Sequence, residues 1–169
     1  MTVLGSRDQY CVNEIAKSAN GGVTEGCVAL ISGRTINSTG NIDTSKRSGC
    51  NCQFRSGMAE IDPNTGKKTG KFPDKMYYKD FIRDTGLKST EPWDIEDLMK
   101  AGRRNDMCPF FAAKMIKSDV QIVFAPYNYL LDRGIRNSLK IDLEGEIVML
   151  DEAHNIEDIC RKSAGLQSQ

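Results

Sequence analysis

Two groups of side chains in this 169-residue chain could do chemistry by their type and spacing. The first is Asp151-Glu152-Ala153-His154, which directly follows the apolar run Ile147 to Leu150. Adjacent acids at the end of a strand point in different directions and can do different work. Asp151 is placed to hold Mg²⁺ in the manner of a Walker-B aspartate. Glu152 is placed to orient or deprotonate an attacking water. Acids also suit the start of a helix, where they meet the positive end of its dipole. That preference alone does not account for the whole tetrad after a β run. His154, the only histidine, becomes within the tetrad a candidate for coupling this acidic site to whatever lies across the cleft.

The second group is six cysteines: Cys11, Cys27, Cys50, Cys52, Cys108 and Cys160. The N-terminus, MTVLGSRDQY, lacks the apolar run of a secretory signal. A reducing compartment is therefore expected, with thiols or metal ligands rather than disulfides. Intervals of 16, 25 and 56 residues separate Cys11, Cys27, Cys52 and Cys108. No CxxC occurs, and these intervals match no compact zinc ribbon or finger. On spacing alone, scattered buried thiols account for them as well as a ligand set does. Pro109 suits a first helical position, which puts Cys108 at the cap, where the helix dipole favours a thiolate. Cys160 falls on an apolar helix face and reads as a core residue.

Charge and patterning set the frame for both groups. Lys plus Arg and Asp plus Glu balance at 23 each, which excludes a basic coat that grips nucleic acid by bulk charge. The balance is uneven along the chain: residues 34–90 carry eleven basic and six acidic groups, and residues 91–169 carry ten and fourteen. The basic middle is either a solvated loop or a surface for phosphates. Apolar residues at 39% suffice for a packed core. No run approaches the roughly 18 residues of a membrane span.

Residues 33–48 lack an apolar period and read as a mobile loop. Asp62-Pro63-Asn64-Thr65-Gly66 is a turn, with irregular or weakly helical flanks through about Lys75. Asp94 and Asp97 suggest a capping box ahead of the stripe Ile95, Leu98 and Met99, with Gly102 as the stop. Residues 119–125 and 146–150 read as short buried strands. Asn155 then caps a helix with Ile156, Ile159 and Cys160 on its apolar face, Arg161 and Lys162 in its last turn and Gly165 beyond it. Strand, helix, strand, carboxylates, helix is the order of a parallel α/β sheet, whose ligands bind beyond the carboxyl ends of the strands. No internal repeat is visible.

The tetrad, the upstream string Pro126-Tyr127-Asn128-Tyr129-Leu130-Leu131-Asp132, and Leu4-Gly5-Ser6-Arg7 before Cys11 together resemble the iron–sulfur helicases. These are superfamily 2 DNA helicases related to the xeroderma pigmentosum group D protein. WDIEDLMKAG and Cys108-Pro109-Phe110-Phe111 look most like the branch of the Fanconi anaemia group J and telomere-elongation-regulator helicases. The resemblance is strong over 91–165 and 1–11 and weak over 28–90. It implies an α/β fold, a partial RecA-like parallel sheet with an irregular or helical iron–sulfur insert. Residues 1–10 would be a strand and loop of the first motor domain. Residues 11–108 would be the insert with its mobile basic loop, and 109–169 the RecA-like segment with the tetrad.

The resemblance further implies that Cys11, Cys27, Cys52 and Cys108 hold a 4Fe-4S cluster that Arg7 supports. Cys52-Gln53-Phe54 fits the family's cysteine-x-phenylalanine, with Cys50 as the alternative third ligand. Asp151 and Glu152 would serve Mg²⁺ with ATP. Tyr127 and Tyr129 would stack on DNA bases or else pack under the sheet beside Leu130 and Leu131. Single-stranded or forked DNA, repair proteins, 5′ to 3′ movement and a nuclear location follow as expectations. Gly66-Lys67-Lys68-Thr69-Gly70-Lys71 is not a phosphate loop, because neither Gly-Lys pair is followed by Ser or Thr. The phosphate loop is expected before Met1 and the second motor domain after Gln169, leaving this stretch inactive by itself. The competing expectation is a catalytically inactive metal-binding module that touches DNA.

Overall fold

The computed structural model describes residues 1–45, 47–73 and 75–163, the last two of them by backbone alone. Gly165, expected beyond the final helix, lies outside the described residues. The chain is α/β and forms two compact units, Met1–Val123 and Phe124–Gln169. Among the described residues no helix is long and apolar enough to cross a membrane.

The first unit opens with β1 (Thr2–Val3) and a turn of helix, α1 (Arg7–Tyr10). Ser6 accepts from the Gln9 amide while the Gln9 side chain accepts from the Ser6 amide, so α1 starts in a capping box. Asn13 caps α2 (Glu14–Lys17), and α3 (Gly22–Ile31) packs against it. A hairpin of β2 (Thr35–Ile36) and β3 (Ile42–Asp43) follows. This corrects the mobile loop expected over 33–48. The Asn37 carboxamide oxygen accepts from the amides of Thr39 and Asn41 at 3.0 and 2.9 Å, a local side-chain turn that apolar periodicity does not register.

After α4 (Gln53–Gly57) the expected turn is present. The Asp62 carboxylate accepts from the Asn64 amide at 2.8 Å, and Gly66 adopts φ +66°. Next come α5 (Tyr78–Thr85), α6 (Ile95–Arg104) and α7 (Pro109–Ile116). Tyr10, Phe81, Leu98 and Ile116 are fully buried among these helices, and the Phe81 and Trp93 rings lie 5.5 Å apart. The Asp94–Asp97 capping box forms as expected, and Cys108 caps α7 with Pro109 at its first position. Gly102 does not stop α6. It sits inside the helix, where a Cβ would lie 2.6 Å from the Met107 carbonyl oxygen and 2.6 Å from Pro109 Cγ.

The expected strand 119–125 shortens to β4 (Val123–Phe124), which pairs with β1 in a short parallel sheet. The Thr2 amide donates to the Ile122 carbonyl at 2.9 Å. Both residues of β4 are exposed rather than buried, because among the described residues β1 is its one neighbouring strand.

The second unit consists of α8 (Tyr127–Leu131), α9 (Arg133–Ser138), a 3₁₀ turn at Ala153–Asn155 and α10 (Ile156–Ser163), with α8 packing on α9 and α10. Glu146 to Leu150 was expected as a buried strand and forms none, and Ile147 and Met149 are 90% and 86% exposed. A parallel strand is stable only when neighbours cover it, and the described part of this unit is helical. Cys160, expected in the core, is exposed.

Replacing Gly102 by Ala sets helix propensity, worth about 1 kcal/mol in favour, against a backbone oxygen that cannot yield cheaply. The clash should win. Gly102→Ala is expected to destabilise the chain by about 1–3 kcal/mol, read as a lowered urea midpoint, and a raised midpoint would refute the close approach.

Candidate functional site

Four buried cysteines occupy the ends or the middle of four short helices. Cys11 closes α1, its amide donating to the Arg7 carbonyl at 2.8 Å. Cys27 lies within α3, and Cys52 and Cys108 are the caps of α4 and α7. The backbone at Gly57, at the end of α4, approaches the residues before Cys108 so closely that a Cβ there would lie 1.6 Å from the Asp106 carbonyl oxygen.

Cys27 and Cys52 each disfavour a thiolate at both Cys11 and Cys108. Cys11, Cys27 and Cys108 each feel Cys52, whereas of these three only Cys27 feels Cys50. Burial pushes the thiols of Cys11 and Cys27 up and that of Cys108 up to about 12. The thiolate expected at Cys108 from its cap position is therefore not favoured by the protein alone. The amides of Phe111 and Phe110 pull the other way, but desolvation outweighs them. Among the described residues no group of three or more His, Cys, Asp or Glu side chains is arranged to hold a metal ion.

Cations lie near the thiols. Arg7 favours the charged form of the Cys27 thiol and stacks its guanidinium carbon 4.6 Å from the Phe110 ring centre. Arg55 lies between two rings, 3.9 Å from Phe72 and 4.0 Å from Phe111, and feels Cys108, Cys50, Cys52 and Cys27. Lys114 approaches the Phe110 ring at 5.3 Å. Burial lowers the pKa of Arg55 and of Lys114, and Lys114 is pushed the same way by Arg7, Lys117 and Arg55. Among the described residues no ion pair includes Arg7, Arg55 or Lys114. Arg7 Nε and Arg55 Nη1 are buried without a hydrogen-bond partner. A half-buried cation without an anion is costly, so this arrangement calls for negative charge on the sulfurs.

Asn13 adds a neutral donor. Its oxygen caps α2 by accepting from Ile15 and Ala16 at 3.0 and 3.1 Å, and its Nδ2 donates to Cys52 Sγ at 3.4 Å.

The tetrad lies in the second unit on an exposed turn rather than on a strand end. Glu152 adopts φ +49°, left-handed backbone that a non-glycine residue enters at a cost. Its Oε2 lies 3.2 Å from His154 Nδ1, with both side chains about 70% exposed, so the contact orients more than it stabilises. The Asn155 amide and side chain donate to the Glu152 carbonyl at 3.1 and 3.3 Å. Asp151 is exposed. Tyr127 and Tyr129 are half-buried on α8, and the Tyr127 hydroxyl is buried without a partner.

The family model described as DEAD_2 matches residues 1–169, the whole chain. The chain belongs to the DEAD_2 family. It is 34% identical over 163 residues to the Fanconi anemia group J protein homolog of Gallus gallus, covering 96% of this chain and 11% of that protein. It is 35% identical over 165 residues to the regulator of telomere elongation helicase 1 homolog of Arabidopsis thaliana, covering 97% and 13%. The homolog of the latter in Drosophila willistoni is 35% identical over 167 residues, covering 98% and 13%. The chain thus spans about an eighth of the length of these relatives. No solved structure matches.

In this DEAD_2 chain, sequence reasoning named Arg7 but missed Asn13, Arg55 and Lys114. Arg55 lies in the last turn of α4, where a basic residue suits the dipole, so its position gave no separate signal. Asn13 makes a direct test. Asn13→Ala is expected to cost about 1 kcal/mol of stability, and Asn13→Ser to recover most of it by keeping the cap. Equal urea midpoints for wild type and the Ala variant would remove Asn13 from this role.

Proposed function

We propose that this chain is part of an ATP-dependent DNA helicase acting in genome maintenance, in which residues 11–108 form an iron–sulfur insert and 109–169 carry the nucleotide-side tetrad. Cys11, Cys27, Cys52 and Cys108 would hold a 4Fe-4S cluster. The observation that carries this reading is the set of half-buried cations, with Arg7 Nε and Arg55 Nη1 unpartnered, around a group of thiols. Four thiolates bound to a cluster would supply the missing negative charge and relieve the cost of burying them. Cys52, felt by each of the other three, is a better third ligand than Cys50.

On the nucleotide side, Asp151 would hold Mg²⁺ and Glu152 would accept the proton of the water that attacks the terminal phosphate. His154 steadies the Glu152 carboxylate. Tyr127 and Tyr129 would contact DNA bases, and the basic surplus of residues 34–90 would contact its phosphates. Single-stranded or forked DNA as substrate, movement 5′ to 3′, repair partners and a nuclear location belong to the same proposal. The isolated 169 residues are proposed to be inactive, since they contain no Gly-Lys-Thr or Gly-Lys-Ser loop. The unformed strand before the tetrad also leaves a second reading, a catalytically inactive metal-binding module that touches DNA.

Anaerobic purification should give a brown protein with about four irons and four sulfides per chain. Cys52→Ser should abolish the colour while Cys50→Ser keeps it, and a colourless protein with one zinc would defeat the cluster. In the intact protein, Glu152→Gln should lower Mg-ATP hydrolysis by about 10²–10⁴-fold with nucleotide binding retained. A hydrolysis rate that does not respond to this change would favour the inactive module.

A further inference from the structure

The resemblance that suggested Arg7 says nothing about Arg55, yet Arg55 feels four of the cysteines. Two rings from distant parts of the chain, Phe72 and Phe111, close over its guanidinium carbon at 3.9 and 4.0 Å. Its Nη1 is buried and has no protein acceptor. The groups whose negative charge would favour it are all sulfurs: Cys108, Cys50, Cys52 and Cys27. Aromatic stacking fixes where the guanidinium sits but neutralises little of its charge.

We propose that Arg55 is a positioning residue for the iron–sulfur cluster, held by the Phe72–Phe111 clamp so that its N–H groups donate to the sulfur face that includes Cys52 and Cys108. This rests on the cluster reading above. Cys52 and Cys108 cap α4 and α7, and Arg55 and Phe111 each lie three residues beyond them on those same helices, so ligand and donor are fixed by the same backbone. Asn13, the cap of α2, already donates to Cys52, and Arg7 on α1 favours charge on Cys27. Arg55 completes the donor set from the opposite end of the chain's path.

The arrangement has two separable effects. A full positive charge and N–H donors beside cluster sulfur favour the more negative, reduced form and so raise the reduction potential. The clamp also ties Phe72, and with it the basic turn that ends at Lys71, to the cluster. That turn is closed by the Glu60 amide donating to the Lys71 carbonyl at 2.9 Å.

The test compares wild type, Arg55→Gln and Arg55→Lys in anaerobically purified intact protein, by iron and sulfide content, by redox titration followed by electron paramagnetic resonance, and by bleaching in air. Arg55→Gln should shift the potential to more negative values and bleach about ten-fold faster, the equivalent of one lost charge-assisted hydrogen bond. Arg55→Lys keeps the charge without the planar fork and should restore most of the potential, while limited trypsin cuts faster at Lys67 to Lys71 in both variants. An Arg55→Gln protein with full iron and an unchanged potential overturns the proposal. If Arg55→Gln loses the cluster, Arg55→Lys decides: a loaded cluster near the wild-type potential supports the role, and an empty one refutes it. Wild type without iron and sulfide would instead overturn the cluster reading itself, and this inference with it.

Discussion

Positive charge enclosed beside sulfur is the constraint around which the first unit is built. Arg55 is stacked between rings and Arg7 lies against another, so neither can turn to solvent to escape the cost of burial. The sulfurs face the mirror problem. A helix dipole is worth at most about 2 kcal/mol to a charge at its end, equivalent to roughly one and a half pH units. That is too little for a Cys108 thiol that burial pushes from 9.0 to about 12. The nearby cations do not reverse this shift, so the protein alone does not hold Cys108 as a thiolate. Each kind of charge is unfavourable alone and favourable with the other.

The second unit is organised by a weaker rule. Its helices pack on one another, while the apolar segment Ile147 to Leu150 remains uncovered and the tetrad sits on a turn. Left-handed backbone at the non-glycine residues Lys140 and Glu152 carries strain there, and strain of this kind costs about 1–3 kcal/mol and gathers at working sites. The contact with His154 bends the two side chains toward each other without burying either.

What could be read from the chain beforehand divides along the same line. Helix starts were legible because caps are local: Asp94 with Asp97, and Cys108 with Pro109, lie where residue type alone places them. Cys11, Cys27, Cys52 and Cys108 were named through the family's motifs. Their spacing in the chain carries no such information, because contacts across tens of residues leave no period. The strands failed for the opposite reason. Residues 119–125 and 146–150 have the composition of buried strands, but burial is conferred by neighbours, and composition does not say whether these are present. Cys160 was misjudged in the same way, since an apolar helix face is a core face only where something covers it. Arg55 and Asn13 were missed because their roles depend on partners distant in sequence, Phe72, Phe111 and Cys52.

The close approach at Gly57 bears on the long excursion between Cys52 and Cys108. Where backbone meets backbone at Gly57 and Asp106, the excursion has already returned to its starting point before the last cysteine is reached. The distance between these two sulfurs is therefore set by a clasp of main chain and not by how many residues lie between them. Closure entropy grows so slowly that doubling the excursion costs only about 0.6 kcal/mol. Length in the exposed turn at Asp62–Gly66 is thus a free variable, whereas Phe81 and Leu98 hold the later part of the stretch in the core.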